Sequence, residues 1–245
     1  MNINKNCKLF LRDVYSYDIS ACHYNILKSL NYDISKIDKE DKLKRNIQIG
    51  MLMRDNPKLT TVIRSTTESL INEYILRNKI SDHDIIIRQY DGFITTKPLK
   101  NDLNQYIPIE LRSIFINFII SIDRNMFIAT DGNQTSIKGI QNRYEEIDKI
   151  YKKILSINYS NKNSIFTSLQ NIKDEIFNSS NALLYCIPTS EKKFNIFLKQ
   201  YGKFEISDSM TRILDTDDID KRIYFDFYIK PFFESIVIEF VNERR

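Results

Sequence analysis

The apolar positions of the chain change period several times, and each change marks an element. "KLFLRDVYSYDI" is rich in β-branched and aromatic residues and predicts one strand ending at Asp18. "SACHYNILKSL" then predicts a short helix. After the charged patch "SKIDKEDKLKR", the apolar residues of "NIQIGMLM" return at helical spacing. Pro57 interrupts. "LTTVIRSTTESLINEYILRN" predicts an amphipathic helix with Leu59, Val62, Ile63, Leu70, Ile71, Tyr74 and Ile75 on its apolar face. "HDIIIRQYDGFITT" reads as strand, Asp91-Gly92 turn, strand. "SIFINFIISIDRNMFIATDGNQTSIKGI" repeats that logic around Asp131-Gly132, and from Tyr144 onward the pattern is mostly helical. The predicted fold class is α+β: a small antiparallel sheet with helices packed on it, then a helical C-terminal part.

Composition narrows the function classes. At 245 residues, with 42% apolar and 28% charged residues, the chain is globular rather than disordered, with one sizeable core divided between subdomains. A net charge of +4 permits a polyanionic partner without demanding one. Cys7, Cys22 and Cys186 have no metal-ligand spacing and read as reduced thiols. The start, "MNINKNCKLF", lacks the apolar core of a signal peptide. The most apolar window, "SIFINFIISI", is about half the length needed to cross a bilayer. The expectation is a soluble protein of the cytoplasm, or of the host cytoplasm if viral, with no membrane partner. The five glycines, Gly50, Gly92, Gly132, Gly139 and Gly202, are so few that each is expected to mark a backbone need. None forms a phosphate-cradling loop, which argues against P-loop and Rossmann chemistry.

Two β-prone segments each present an aspartate, Asp18 and Asp91. On neighbouring strands, these carboxylates can bracket a pair of Mg²⁺ ions (Mn²⁺ as the alternative), since magnesium prefers one or two carboxylates plus phosphate oxygens and water. Lys42, Lys44 and Arg45 lie between them in sequence and supply cations for a triphosphate. Each residue has a plainer role when taken alone. Asp91 suits a turn, Asp18 a helix cap, and "DKEDKLKR" a solvated helix face.

The order of these segments resembles the palm and thumb half of a family B DNA polymerase. "YDISACHYNI" is similar to the family's first palm motif, with Asp18 on the metal-binding aspartate, Ile26 on the final isoleucine, and His23 on the tyrosine that screens out ribonucleotides. Asn25 stands where serine is usual. "KLKRNIQIG" resembles the fingers motif through Lys42, Asn46 and Gly50, with Ile49 in place of tyrosine. "RQYDGF" resembles the Asp-Thr-Asp-Ser turn: Asp91 keeps the second aspartate and Gln89 replaces the first. "RNMFIATDGNQTSIKGIQNR" is similar to the Lys-Lys-Arg-Tyr hairpin through Lys138 and Gly139, with Arg124 and Phe127 approximating its first half. Thumb-like matches follow at Pro188, Gly202, Asp208, Asp220, Tyr224, Ile229 and Pro231. Family A fits less well, for "DISACHYNIL" lacks that family's glutamate.

The resemblance implies a palm over residues 1–30 and 56–143, reduced fingers over 31–55 and a thumb-like helical region over 144–245. It also implies that the family's N-terminal and exonuclease domains are missing. The function implied is primer extension with dNTPs by two-metal-ion phosphoryl transfer, either as a minimal polymerase or as part of a split one. Asp18 and Asp91 would be the catalytic metal ligands. Lys42, Arg45, Asn46, Ile49 and His23 would contact nucleotide. Arg124, Lys138, Gly139 and Arg143 would contact primer-template DNA, with a second polymerase chain or replication proteins as further partners. The alternatives are a non-catalytic, polymerase-derived subunit that binds primer-template or completes a partner chain, and a template-independent or ribonucleotide-adding transferase.

Overall fold

The computed structural model describes residues 1–100, 107–139, 145–178 and 225–242. The motif residues Arg143, Pro188, Gly202, Asp208, Asp220 and Tyr224, and Cys186, lie outside them. The chain splits into two compact units, Met1–Cys7 with Asp13–Ile114, and Lys8–Arg12 with Phe115–Arg245. The division thus falls at Ile114/Phe115. The strands carrying Lys138 go with the C-terminal helices, whereas the polymerase resemblance places the palm's limit at residue 143.

The first unit holds β1 (Asn2–Ile3), β3 (Val14–Ile19), α1 (Cys22–Ser29), α2 (Lys42–Asp55), α3 (Pro57–Arg77), β4 (Ile85–Arg88) and β5 (Gly92–Thr95), and most of β6 (Ile109–Phe115). Its five-stranded sheet runs β1-β4-β5-β3-β6, and β3 and β5, like β4 and β5, pair antiparallel. The helices start where sequence chemistry permits. Asp41 caps α2 by accepting from the Lys44 N–H at 3.0 Å. Asn56 caps α3 at the Leu59 N–H, 3.1 Å, with Pro57 at the first helical position, where its missing donor costs nothing. Ile26, Leu27, Ile49, Ile63, Tyr74 and Phe93 meet in one core. Full burial of each such aliphatic or aromatic side chain contributes about 1.5–3 kcal/mol. Val62 is the exception on the predicted face of α3: it is 42% exposed.

The second unit holds β2 (Phe10–Leu11), β7 (Asn117–Ser121), β8 (Met126–Thr130) and β9 (Thr135–Lys138) in an antiparallel sheet ordered β2-β7-β8-β9. Against it pack α4 (Glu145–Leu155), α5 (Lys162–Asn178) and α6 (Lys230–Asn242), the last entered through a π-helical turn, Phe225–Ile229. The Tyr151 and Phe232 rings meet edge to face at 5.5 Å in its core. The Ser235 hydroxyl donates to the Ile120 carbonyl at 2.5 Å, tying α6 to β7. No described helix is long and apolar enough to cross a membrane.

Two expectations need correction. The described residues form two sheets rather than one. "KLFLRDVYSYDI" is not one strand but β2 and β3, which join different sheets. Asp13 adopts φ 55 between them, a left-handed conformation that an extended run cannot contain.

Candidate active site

The first unit brings Asp18 and Asp91 together at one end of the β3–β5 ladder. Asp18 stands opposite Gly92, and the Ile19 N–H donates to the Asp91 carbonyl at 2.7 Å. Gln89 N–H closes on Gly92 O at 2.9 Å, so Tyr90 and Asp91 form the hairpin tip. Gly92 is therefore not the turn residue that "DG" suggested, and its φ is not positive. Its need is space: a Cβ there would sit 2.2 Å from the Tyr17 carbonyl oxygen and 3.2 Å from Asp18 Oδ1. Asp18 does not cap α1 either. Ala21 takes the cap position at φ 40 with no side-chain cap bond, which leaves the Asp18 carboxylate free of that duty.

Burial, and after it the negative charge of Asp91, pushes the Asp18 carboxyl above its usual range. Arg112 and Lys42 pull the other way. Two like charges held side by side form an environment that favours a proton or a cation. The donor set suits magnesium, which takes one or two carboxylates and completes its shell with water and phosphate. Among the described residues there is no cluster of three or more His, Cys, Asp and Glu placed for a metal. A softer, all-protein metal site therefore has no candidate in them.

The cations of α2 divide. Lys42, the first residue of the helix, is exposed, and its charge reaches Asp18. Arg45 is tied down, with Nη1 donating to the Lys39 carbonyl at 2.9 Å and its guanidinium 6.0 Å from the Tyr24 ring centre. Asn46 lies on the same helix and is not part of the core. Ile49, expected to line a nucleotide pocket, sits on the inner side of this helix. Lys42, Arg45, Asn46 and Ile49 fall on one helical face, but Ile49 is 3% exposed and packs into the core.

His23 lies beside the carboxylates. Its ring packs on Tyr90 at 5.4 Å between centres, and burial lowers its pKa while Asp91 pulls it up. Tyr90 hydrogen-bonds with Thr67, a fully buried hydroxyl that also sits 3.6 Å from Cys22 Sγ. Burial pushes the Cys22 thiol up to about 11, so the free thiol is protonated near neutral pH and is a poor nucleophile.

In the second unit, Arg124 occupies the β7–β8 turn, Lys138 is exposed and pairs in register with Phe127, and Gly139 follows at φ 88. A Cβ on Gly139 would lie 2.5 Å from the Asn125 carbonyl. The three residues meet at one end of that sheet; Arg143 lies outside the described residues.

Sequence reasoning missed Arg112, Tyr90 and Thr67. Arg112 Nε lies 3.6 Å from Asp18 Oδ2, and its Nη1 lies 2.8 Å from Glu110 Oε2. The signal available was parity: Glu110 and Arg112, two apart in "IELRS", share one side of a strand. That β6 lies beside β3 is long-range information.

No curated protein matches the chain. Among solved structures it is similar to the family B DNA polymerase from the hyperthermophilic archaeon Pyrobaculum calidifontis, with TM-score 0.48 and 9% sequence identity. The match covers 94% of this chain and 45% of that one, so the chain spans less than half the polymerase's length. The profile of the family described as Bacteriophage PBS1 gene 130 protein matches residues 2–230, and the chain belongs to that family.

Proposed function

We propose that the chain is a magnesium-dependent nucleotidyltransferase that extends a primer 3′-hydroxyl with dNTPs on a DNA template, working in the cytoplasm of a phage-infected host cell. The observation that carries this reading is the juxtaposition of Asp18 and Asp91 across β3 and β5, with the Lys42 charge within reach. The ordered sequence motifs support it independently. Asp18 and Asp91 would hold Mg²⁺, with Mn²⁺ as its substitute. Bound there, the ion supplies charge stabilisation for phosphoryl transfer and acidifies the attacking hydroxyl. Lys42 neutralises triphosphate charge at the mouth of the site. The His23–Tyr90 ring pair stands beside Asp91, where His23 would contact the nucleotide. Arg124 and Lys138 supply sequence-independent attraction for primer-template phosphates, which makes binding weaken with salt.

Primer extension by the purified chain with Mg²⁺ tests the reading. Asp91→Ala is expected to lower incorporation by at least a hundredfold, roughly the upper end of what losing a residue that merely hydrogen-bonds to a metal ligand costs. DNA affinity, measured by fluorescence anisotropy, is expected to stay within about twofold because phosphate contacts lie elsewhere. Equal extension by mutant and wild type would leave Asp91 a turn residue. One observation favours a second, non-catalytic reading, a DNA-binding subunit that completes a partner chain: Asp18 already has a protein cation, Arg112, against it. A wild type that binds primer-template and never extends it would establish that alternative.

A further inference from the structure

We infer that Arg112 is a displaceable counter-ion, a built-in cation that occupies the Asp18 carboxylate until a divalent ion and a phosphate take its place. The inference rests on the two-carboxylate reading of Asp18 and Asp91. A guanidinium against Asp18 Oδ2 and a divalent ion on that carboxylate compete for the same negative charge and repel each other. Arg112 also has somewhere else to be. Its Nη1 contact to Glu110 Oε2, at 2.8 Å, is much shorter than the 3.6 Å contact of Nε to Asp18. The guanidinium can therefore swing off Asp18 while Glu110 keeps hold of it. Glu110 and Arg112 share one side of β6, so the swing needs only side-chain rotation. The side chains of Arg112, Glu110 and Asp18 are 46%, 43% and 36% exposed, so no core packing resists it.

Charge gives the arrangement its consequence. Asp18, Asp91 and Glu110 face Lys42 and Arg112, three negative charges against two positive, so Arg112 removes part of the attraction that the metal-free site offers a divalent ion. A nucleotide triphosphate changes that balance. It brings negative charge, and its oxygens match the planar fork of an arginine. The displaced Arg112 then has a phosphate to bind, and metal and triphosphate enter together. Arg112 is in this sense a positioning residue that couples metal entry to substrate arrival.

Mn²⁺ binding, followed by the electron paramagnetic resonance of the free ion at low ionic strength, tests this without any turnover. Wild type is expected to bind Mn²⁺ alone weakly. Arg112→Gln is expected to bind it about tenfold more tightly, the order expected for removing one unit charge a few ångströms from a divalent ion. Arg112→Lys retains the charge and is expected to stay near wild type, and Asp18→Asn is expected to abolish the gain in the double variant. Circular dichroism establishes that each variant is folded. Equal Mn²⁺ affinity in folded wild type and Arg112→Gln would overturn the inference while leaving the carboxylate site standing. Absence of Mn²⁺ binding in both would overturn the site reading and the inference with it.

Discussion

At Gly92 a single missing side chain decides whether two carboxylates can meet. The strand opposite passes so close that a methyl group would overlap the Tyr17 carbonyl. The glycine was visible in the sequence, but its reason was not. "DG" is the usual hairpin signal, whereas here the tip is Tyr90-Asp91 and the glycine serves the ladder. Asp18 was legible as chemistry-bearing because it ends a β-prone run. Its partner Arg112 was not, because nothing local says which strand lies alongside. A second aspartate, Asp84, carries stability rather than chemistry. Lys97 Nζ approaches it at 2.8 Å, and Ser81 donates from its hydroxyl at 2.5 Å and its backbone N–H at 3.1 Å. These partners, Lys97 first, lower its carboxyl to about 2 from 3.8. A carboxyl held below its unfolded value stabilises the fold fully above about pH 4, and that contribution is lost as pH falls through about 2. Asp84→Asn is therefore expected to lower the urea midpoint at pH 7, with the difference from wild type shrinking between pH 4 and pH 2. A constant difference across that range would assign Asp84 a role other than its charge.

Among the elements, α3 was legible because its 3.6-residue period is a local signal, although Pro57, read as an interruption, is its first residue. The boundary between β2 and β3 was not. Arg12-Asp13 reads as part of an alternating strand, and only the positive φ of Asp13 breaks it. Helix α2 contains the one described glycine with no evident backbone need. Gly50 lies mid-helix, and a Cβ added there would meet nothing within 4 Å, against the expectation that every glycine here marks a constraint. Gly50→Ala is expected to raise stability by about 0.5–1 kcal/mol, the helix-interior difference between the two residues. Thermal denaturation followed by far-ultraviolet circular dichroism measures it; a fall in the midpoint would mean that the helix needs the glycine.

On the scale of the whole molecule, the α+β class and a division into subdomains were legible, but no boundary was. The division at Ile114/Phe115 falls inside a β-prone run without any linker-like composition. The chain opens in the first unit, contributes Lys8–Arg12 to the second, returns, and leaves again after Ile114. A single cut therefore cannot separate the units cleanly. Fragment 115–245 lacks β2, which pairs through Phe10 and Leu11 with Ile119 and Phe118 of β7. With that edge opened, the fragment is expected to self-associate, and light scattering of it beside the full chain measures the effect. The same excursion sets a timetable for synthesis. The strand partner of Phe10, Ile119, leaves the ribosome about a hundred residues after it, a delay on the order of 5–20 s at ordinary translation rates. The ring neighbours of Phe10, Tyr159 and Phe240, at 4.4 and 5.3 Å, arrive later still. Phe10 thus stays without its native apolar neighbours until residues more than a hundred positions downstream have been made, and its side of the sheet can close only then.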